Sequence, residues 1–206
     1  MSKTRALAAA VLLASLAACA TQAPPAVDAS RIPASLQAGP GQQLDEVLTA
    51  RGQSVYECRR DGAVQLWFPE GELATLVDTA RRSVGTVTPG GYFVAYDDSH
   101  VATRRDAVSQ MTAGTLVWAR LAAKNPPGRS ATARMTQGRF ARTSVIARID
   151  TTGGLPPDAL CEREGGALFV PFSATYLFYS AAAQPSPRSG HPDGALTKSS
   201  HDSQLK

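Results

Sequence analysis

A chain of 206 residues, 43% hydrophobic and 18% charged, has the material for one packed domain and is not a wholly disordered protein. Its one apolar run near membrane length lies at the extreme N-terminus, which excludes a polytopic membrane protein. The formal charge is +4, and three histidines and three cysteines leave little for a multi-ligand metal site.

The chain opens with a basic head, Lys3 and Arg5, followed by the apolar stretch Ala6 to Leu16 and then Leu16-Ala17-Ala18-Cys19. A basic head, a short apolar body and small residues before a cleavage point describe an export signal. The tetrapeptide resembles the lipobox of bacterial lipoproteins, cut before the cysteine. The resemblance implies a signal peptide over 1–18, lipid on Cys19 and attachment to the membrane through that lipid. The alternative is an ordinary cleaved signal followed by a chance cysteine. Ala20, rather than an aspartate, follows the cysteine; in the lipoprotein pattern of many Gram-negative bacteria this implies the outer membrane, with the domain facing the periplasm. Loss of Lys3 and Arg5 takes the charge to +2. The arginines that remain are scattered rather than gathered on one stretch. They read as solvated strand edges and loops, not as a nucleic-acid surface.

All aromatic residues fall between Tyr56 and Tyr179, which places the folded body at about 40–180. Residues 19–39 read as a lipidated tether and 181–206 as a disordered polar tail. Within the body, Leu44, Val47 and Leu48 are spaced as on a helix and Gly52 follows, so 43–51 predicts a short N-terminal helix. Two β-rich runs around Asp61-Gly62 predict a hairpin. Further strands are expected at Tyr92–Tyr96, Thr115–Leu121, Ser144–Ile149, Leu168–Phe172 and Thr175–Tyr179, with Pro171 at an edge, bend or bulge. Glu72–Arg82 fits a helix period but leans to strand by context. The sum is an all-β domain, an antiparallel sandwich or barrel.

Setting Cys19 aside leaves Cys58 and Cys161. An exported chain meets an oxidising compartment, so the pair predicts a disulfide, with two separate buried thiols as the alternative.

Several of these pieces resemble the exported domain of unknown function numbered 3455. The carriers are Gly52-Gln-Ser-Val-Tyr-Glu-Cys58, Trp67-Phe-Pro-Glu-Gly-Glu-Leu73, Arg148-Ile-Asp-Thr-Thr-Gly-Gly154 through to Cys161, and Val170-Pro-Phe-Ser-Ala-Thr-Tyr-Leu-Phe-Tyr179. The middle departs: Val84-Gly85-Thr86-Val87 lacks the histidine usual after that pair, and Asp97-Asp98-Ser99 stands in place of Asp-Gly-Ser. The resemblance implies an exported β domain and no transferable activity.

No nucleophile elbow, zinc-protease helix or phosphate loop occurs, and His100 is the only histidine of the domain. No catalytic residues, metal ligands or cofactor are assigned. Asp97 and Asp98, beside Tyr92, form the densest polar cluster; they read as a ligand seat or as a solvated turn. Trp67 and Trp118 line a groove or pack in the core. The expectation is a non-catalytic outer-membrane lipoprotein that binds an envelope ligand or protein, with Trp67, Tyr92, Asp97 and Asp98 as candidate ligand residues. The alternatives are an envelope hydrolase using scattered Asp and Glu side chains, and a purely structural envelope component.

Overall fold

The computed structural model describes residues 27–125 and 137–182. The expected signal peptide, Cys19 and most of the expected tail lie outside them. Eight antiparallel strands run in sequence order: β1 Gln42–Asp61, β2 Val64–Val77, β3 Ser83–Thr88, β4 Tyr92–Ala95, β5 His100–Ser109, β6 Trp118–Ala123, β7 Thr143–Gly153 and β8 Ala167–Ala181. Each pairs with the next, and β8 returns to β1, so the sheet closes into a barrel without free edges. The all-β expectation therefore holds, and of its two forms the barrel is the one adopted. At eight strands such a barrel is just wide enough to be filled by side chains or to hold one small ligand.

This barrel is filled in one half and open in the other. One half of its interior is packed by Leu48, Leu76, Phe93, Phe140, Tyr176 and Phe178, all 2% exposed or less. Phe93 meets Tyr176 and Phe178 edge-on at 5.2 and 5.7 Å, and Phe140 stacks on Phe178 at 4.7 Å. A second, smaller apolar cluster lies outside the barrel. There Ile32 and Leu36, carried by two one-turn 3-10 helices (Ala29–Arg31 and Ala34–Leu36), cover Trp118, Ala147, Ile149 and Leu177. Residues expected in the tether thus pack on the barrel wall from about Val27 onward, and β6 and β7 are buried on both faces.

The helix expected over 43–51 is instead the first half of β1. The pairing with β8 slips between Leu44 and Glu46, a bulge at Asp45. The extra residue puts Leu44 and Val47 on one face, against the outer cluster, and Leu48 on the other, in the interior. A bulged strand with both faces covered thereby imitates helical spacing. Gly52 is not a helix stop but a mid-strand crossing: a Cβ there would collide with the Leu73 carbonyl and stand 2.5 Å from Ala74 Cα.

The hairpin at Asp61-Gly62 is present, with Gly62 at φ +62°. The Glu72–Arg82 stretch is strand as far as Val77 and then turns, closed by Asp78 accepting from the Arg82 amide at 2.9 Å. The last two expected strands are one, β8. Pro171 is tolerated inside it because its polar edge faces the point where β7 ends, where its carbonyl accepts from Gly154 N–H at 2.9 Å. Thr115–Leu121 does not alternate cleanly. Leu116 faces inward while Trp118 faces the outer cluster, since regular strand begins only at Trp118.

Candidate ligand cavity

The half of the barrel that the aromatic residues leave unfilled is a cavity of about 550 Å³. It is within the usual size for a small-molecule site. Its wall is largely apolar, with Leu66, Trp67, Phe93, Leu116, Leu121 and Leu155 among the contributors. Four ionisable side chains that carry charge reach it: Glu70, Glu72, Arg105 and Arg148.

Arg148 follows Ile146 by two residues on β7, so it shares the inward face. It is 1% exposed. Its Nη1 donates to Glu72 of β2, and its Nη2 donates to the Val117 carbonyl at 3.0 Å. Burial alone would lower the guanidinium's proton affinity; Glu72 and then Tyr176 outweigh it, and the group stands above its ordinary value. Its Nε–H has no hydrogen-bond partner among the described residues. The Ser54 hydroxyl, likewise buried, lies near Tyr56 but makes no hydrogen bond of ordinary geometry. The Tyr56 hydroxyl is committed, donating to the Gly154 carbonyl at 2.6 Å. Burial, and after it Glu72, pushes the Tyr56 phenol up. The same two causes push up Tyr176, which is fully buried beside Arg148.

The roof is the segment between β7 and β8. Leu155, Pro156 and Ala159 line the cavity, and the Cys58–Cys161 disulfide holds this segment to β1 across a sequence separation of 103. Backbone bonds continue the tie: Trp67 N–H to Ala159 O at 3.1 Å and Cys161 N–H to Gln65 O at 3.0 Å. Closing a loop of that length is worth about 4.7 kcal/mol in the chain-entropy model. Gly153 and Gly154 make the turn into the roof at φ +62° and +86°. A Cβ on Gly154 would stand 2.6 Å from Leu116 and 2.9 Å from Ser54 Oγ, so only glycine leaves the cavity its shape there.

The four candidate ligand residues do not come together. Trp67 lines the cavity, half-buried. Tyr92 does not; it opens β4, is 46% exposed, and carries Lys124 over its ring at 5.6 Å. Asp97 and Asp98 lie beyond the other end of β4. There Asp97 accepts from Ser99 N–H and hydroxyl at 3.0 and 2.5 Å and from Arg139 N–H at 2.8 Å. The Ser99 hydroxyl, then the Arg139 amide, holds its carboxyl below the ordinary value. Arg139 also grips Glu46 of β1 and lies 3.9 Å from Asp78. The cluster thus ties three connections to one strand. Asp98 sits in the left-handed turn, φ +66°. Among the described residues no group of three or more His, Cys, Asp or Glu side chains is placed to hold a metal ion.

Two residues of this cavity escape a reading by scattered charge. Both were expected at solvated edges; Arg148 is buried in the interior instead, and Arg105 is exposed as expected but lines the cavity's mouth. For Arg148 the signal is present in Val145-Ile-Ala-Arg-Ile149, a lone cation inside an otherwise apolar strand. For Arg105 no comparable signal exists in Thr103-Arg-Arg-Asp106.

A family model described as a protein of unknown function, DUF3455, matches residues 39–180. No curated protein and no solved structure matches the chain.

Proposed function

The chain belongs to the DUF3455 family of proteins of unknown function, and we propose that it is an exported, lipid-anchored barrel that binds a small amphipathic ligand without transforming it. The observation that carries this reading is the cavity itself: about 550 Å³ with a largely apolar wall and a few charged side chains, Glu72, Arg105 and Arg148 among them, on its lining. A concave, mostly apolar space with a small number of polar groups on its wall is the form that small-molecule sites take.

The hydrolase alternative finds less support. The carboxylates that reach the cavity are both joined to arginines, Glu72 to Arg148 and Glu70 to Arg59 at 2.5 Å. Neither is placed as a free acid or base.

Titration with the neutral fluorophore Nile red tests the cavity. Saturable one-to-one enhancement is expected for the native chain and its loss in Leu121→Trp, which fills the space. Absence of saturable binding would reject the reading. The anchor is tested separately: a palmitate analogue should label the native protein and not Cys19→Ala.

A further inference from the structure

We propose that the ligand is a monoanionic amphiphile, a carboxylate head on an apolar body, and that Arg105 is the residue that receives the head. This rests on the cavity reading above and specifies its chemistry.

The argument begins with charge. Of the four charged side chains lining the cavity, Glu72 is joined to Arg148 and Glu70 to Arg59, which it meets on the outer side of the wall. Arg105 has neither ion-pair nor hydrogen-bond partner among the described residues. Its sequence neighbour Asp106 is no substitute. The pairing of β5 with β6 slips between Arg105 and Ala107, and the extra residue, Asp106, bonds Arg120 at 2.7 Å. A bulge at this point separates the acid from the arginine beside it and leaves Arg105 opposite Leu121, exposed at the mouth of the cavity.

Hydrogen-bond capacity points the same way. What the cavity leaves unspent is a set of donors, the guanidinium N–H groups of Arg105 at its mouth; the unpartnered Arg148 Nε–H, Ser54 hydroxyl and Tyr176 hydroxyl are closed off from it. The tyrosine hydroxyl that lines the space, Tyr56, already donates to Gly154. A head rich in acceptors and carrying one negative charge satisfies this set, and the planar fork of a guanidinium suits a carboxylate. A cationic head would meet the surplus arginine unfavourably. The remaining wall, Trp67, Leu116, Leu121 and Leu155 among it, suits a hydrocarbon body.

The test uses the whole chain carrying Cys19→Ala and three probes of equal chain length, below their micelle concentrations: dodecanoate, dodecanol and dodecyltrimethylammonium. Calorimetric titration should give dodecanoate about tenfold or more tighter binding than dodecanol, weakening with added salt. Arg105→Gln should abolish that preference while leaving dodecanol affinity unchanged; Arg105→Lys should keep part of it. Equal affinities for acid and alcohol, tighter binding of the cation, or an undiminished preference in Arg105→Gln would overturn the proposal while leaving the cavity reading intact. Failure of all three probes to bind would overturn both.

Discussion

Arg148 on β7 and Glu72 on β2 form an ion pair inside the barrel, with the arginine side chain 2% and the glutamate side chain 13% exposed. Two strands that are not neighbours in the sheet are thereby joined across the interior, at the boundary between the packed half and the open half. A charge in such a place is tolerated only with its partner present.

That dependence is measurable. Glu72→Gln leaves the Arg148 guanidinium uncompensated and is expected to cost about 3–5 kcal/mol in denaturant unfolding. The double variant Glu72→Gln, Arg148→Met removes the stranded charge and should be more stable than the single variant. A single variant as stable as the native protein would mean that the pair does not set the interior charge balance.

The disulfide holds the roof. Replacing both Cys58 and Cys161 by serine should cost about 2–5 kcal/mol. The loss should be local as well as global. The amides of Trp67 and Cys161, which bond to Ala159 and Gln65, should exchange faster by hydrogen–deuterium exchange than those of β1 and β8 near Leu48 and Leu177. Uniform protection in the variant would show that the roof stands without the bridge.

Acid should act on the loop cluster that holds Asp97 and Asp78. The carboxyl of Asp97 is held below the ordinary aspartate value of 3.8 by Ser99 and Arg139, and that of Asp78 by the amide and then the side chain of Arg82. Both are higher in the unfolded chain. The stability they contribute is therefore fully present above about pH 4 and is lost as pH falls through their folded values. Stability measured from pH 6 down to pH 3 should decline less steeply for Asp97→Asn than for the native protein. Parallel curves would contradict the assignment.

Two glycines separate close approach from turn geometry. Gly52→Ala forces a methyl group into the backbone of Leu73 and Ala74 and should cost about 3 kcal/mol or more. Gly62→Ala meets nothing within 4 Å and suffers only its positive φ, so about 1 kcal/mol is expected. Similar losses at the two sites would refute the close packing of β1 on β2 at Gly52.

How far the fold can be read from the sequence follows from which faces are covered. Where one face of a strand is wet, alternation is clean, and the hairpin at Asp61-Gly62 and the strand β4 are legible. Where both faces are covered, as in the first half of β1, alternation vanishes, and a bulge at Asp45 restores a false helical period. The pairing of Cys58 with Cys161 follows from compartment and parity. The cavity does not: whether Trp67 lines a space or fills a core depends on side chains from six strands, which only closure of the barrel brings together. The same closure buries Arg148 and sets the exposed Arg105 at the cavity's mouth, while Asp97, the most conspicuous polar residue in the sequence, is consumed by its own turn and by Arg139.

The most direct measurement is a nitrogen–proton correlation spectrum of the whole chain carrying Cys19→Ala, titrated with dodecanoate. A ligand inside the barrel should move the resonances of Ser54, Trp67, Arg105, Leu116 and Leu121, and leave Trp118 under the N-terminal segment and Asp97 in the turn after β4 in place. Shifts confined to Trp118, Tyr92 or Asp97, or no saturable shifts at all, would contradict a ligand-binding barrel.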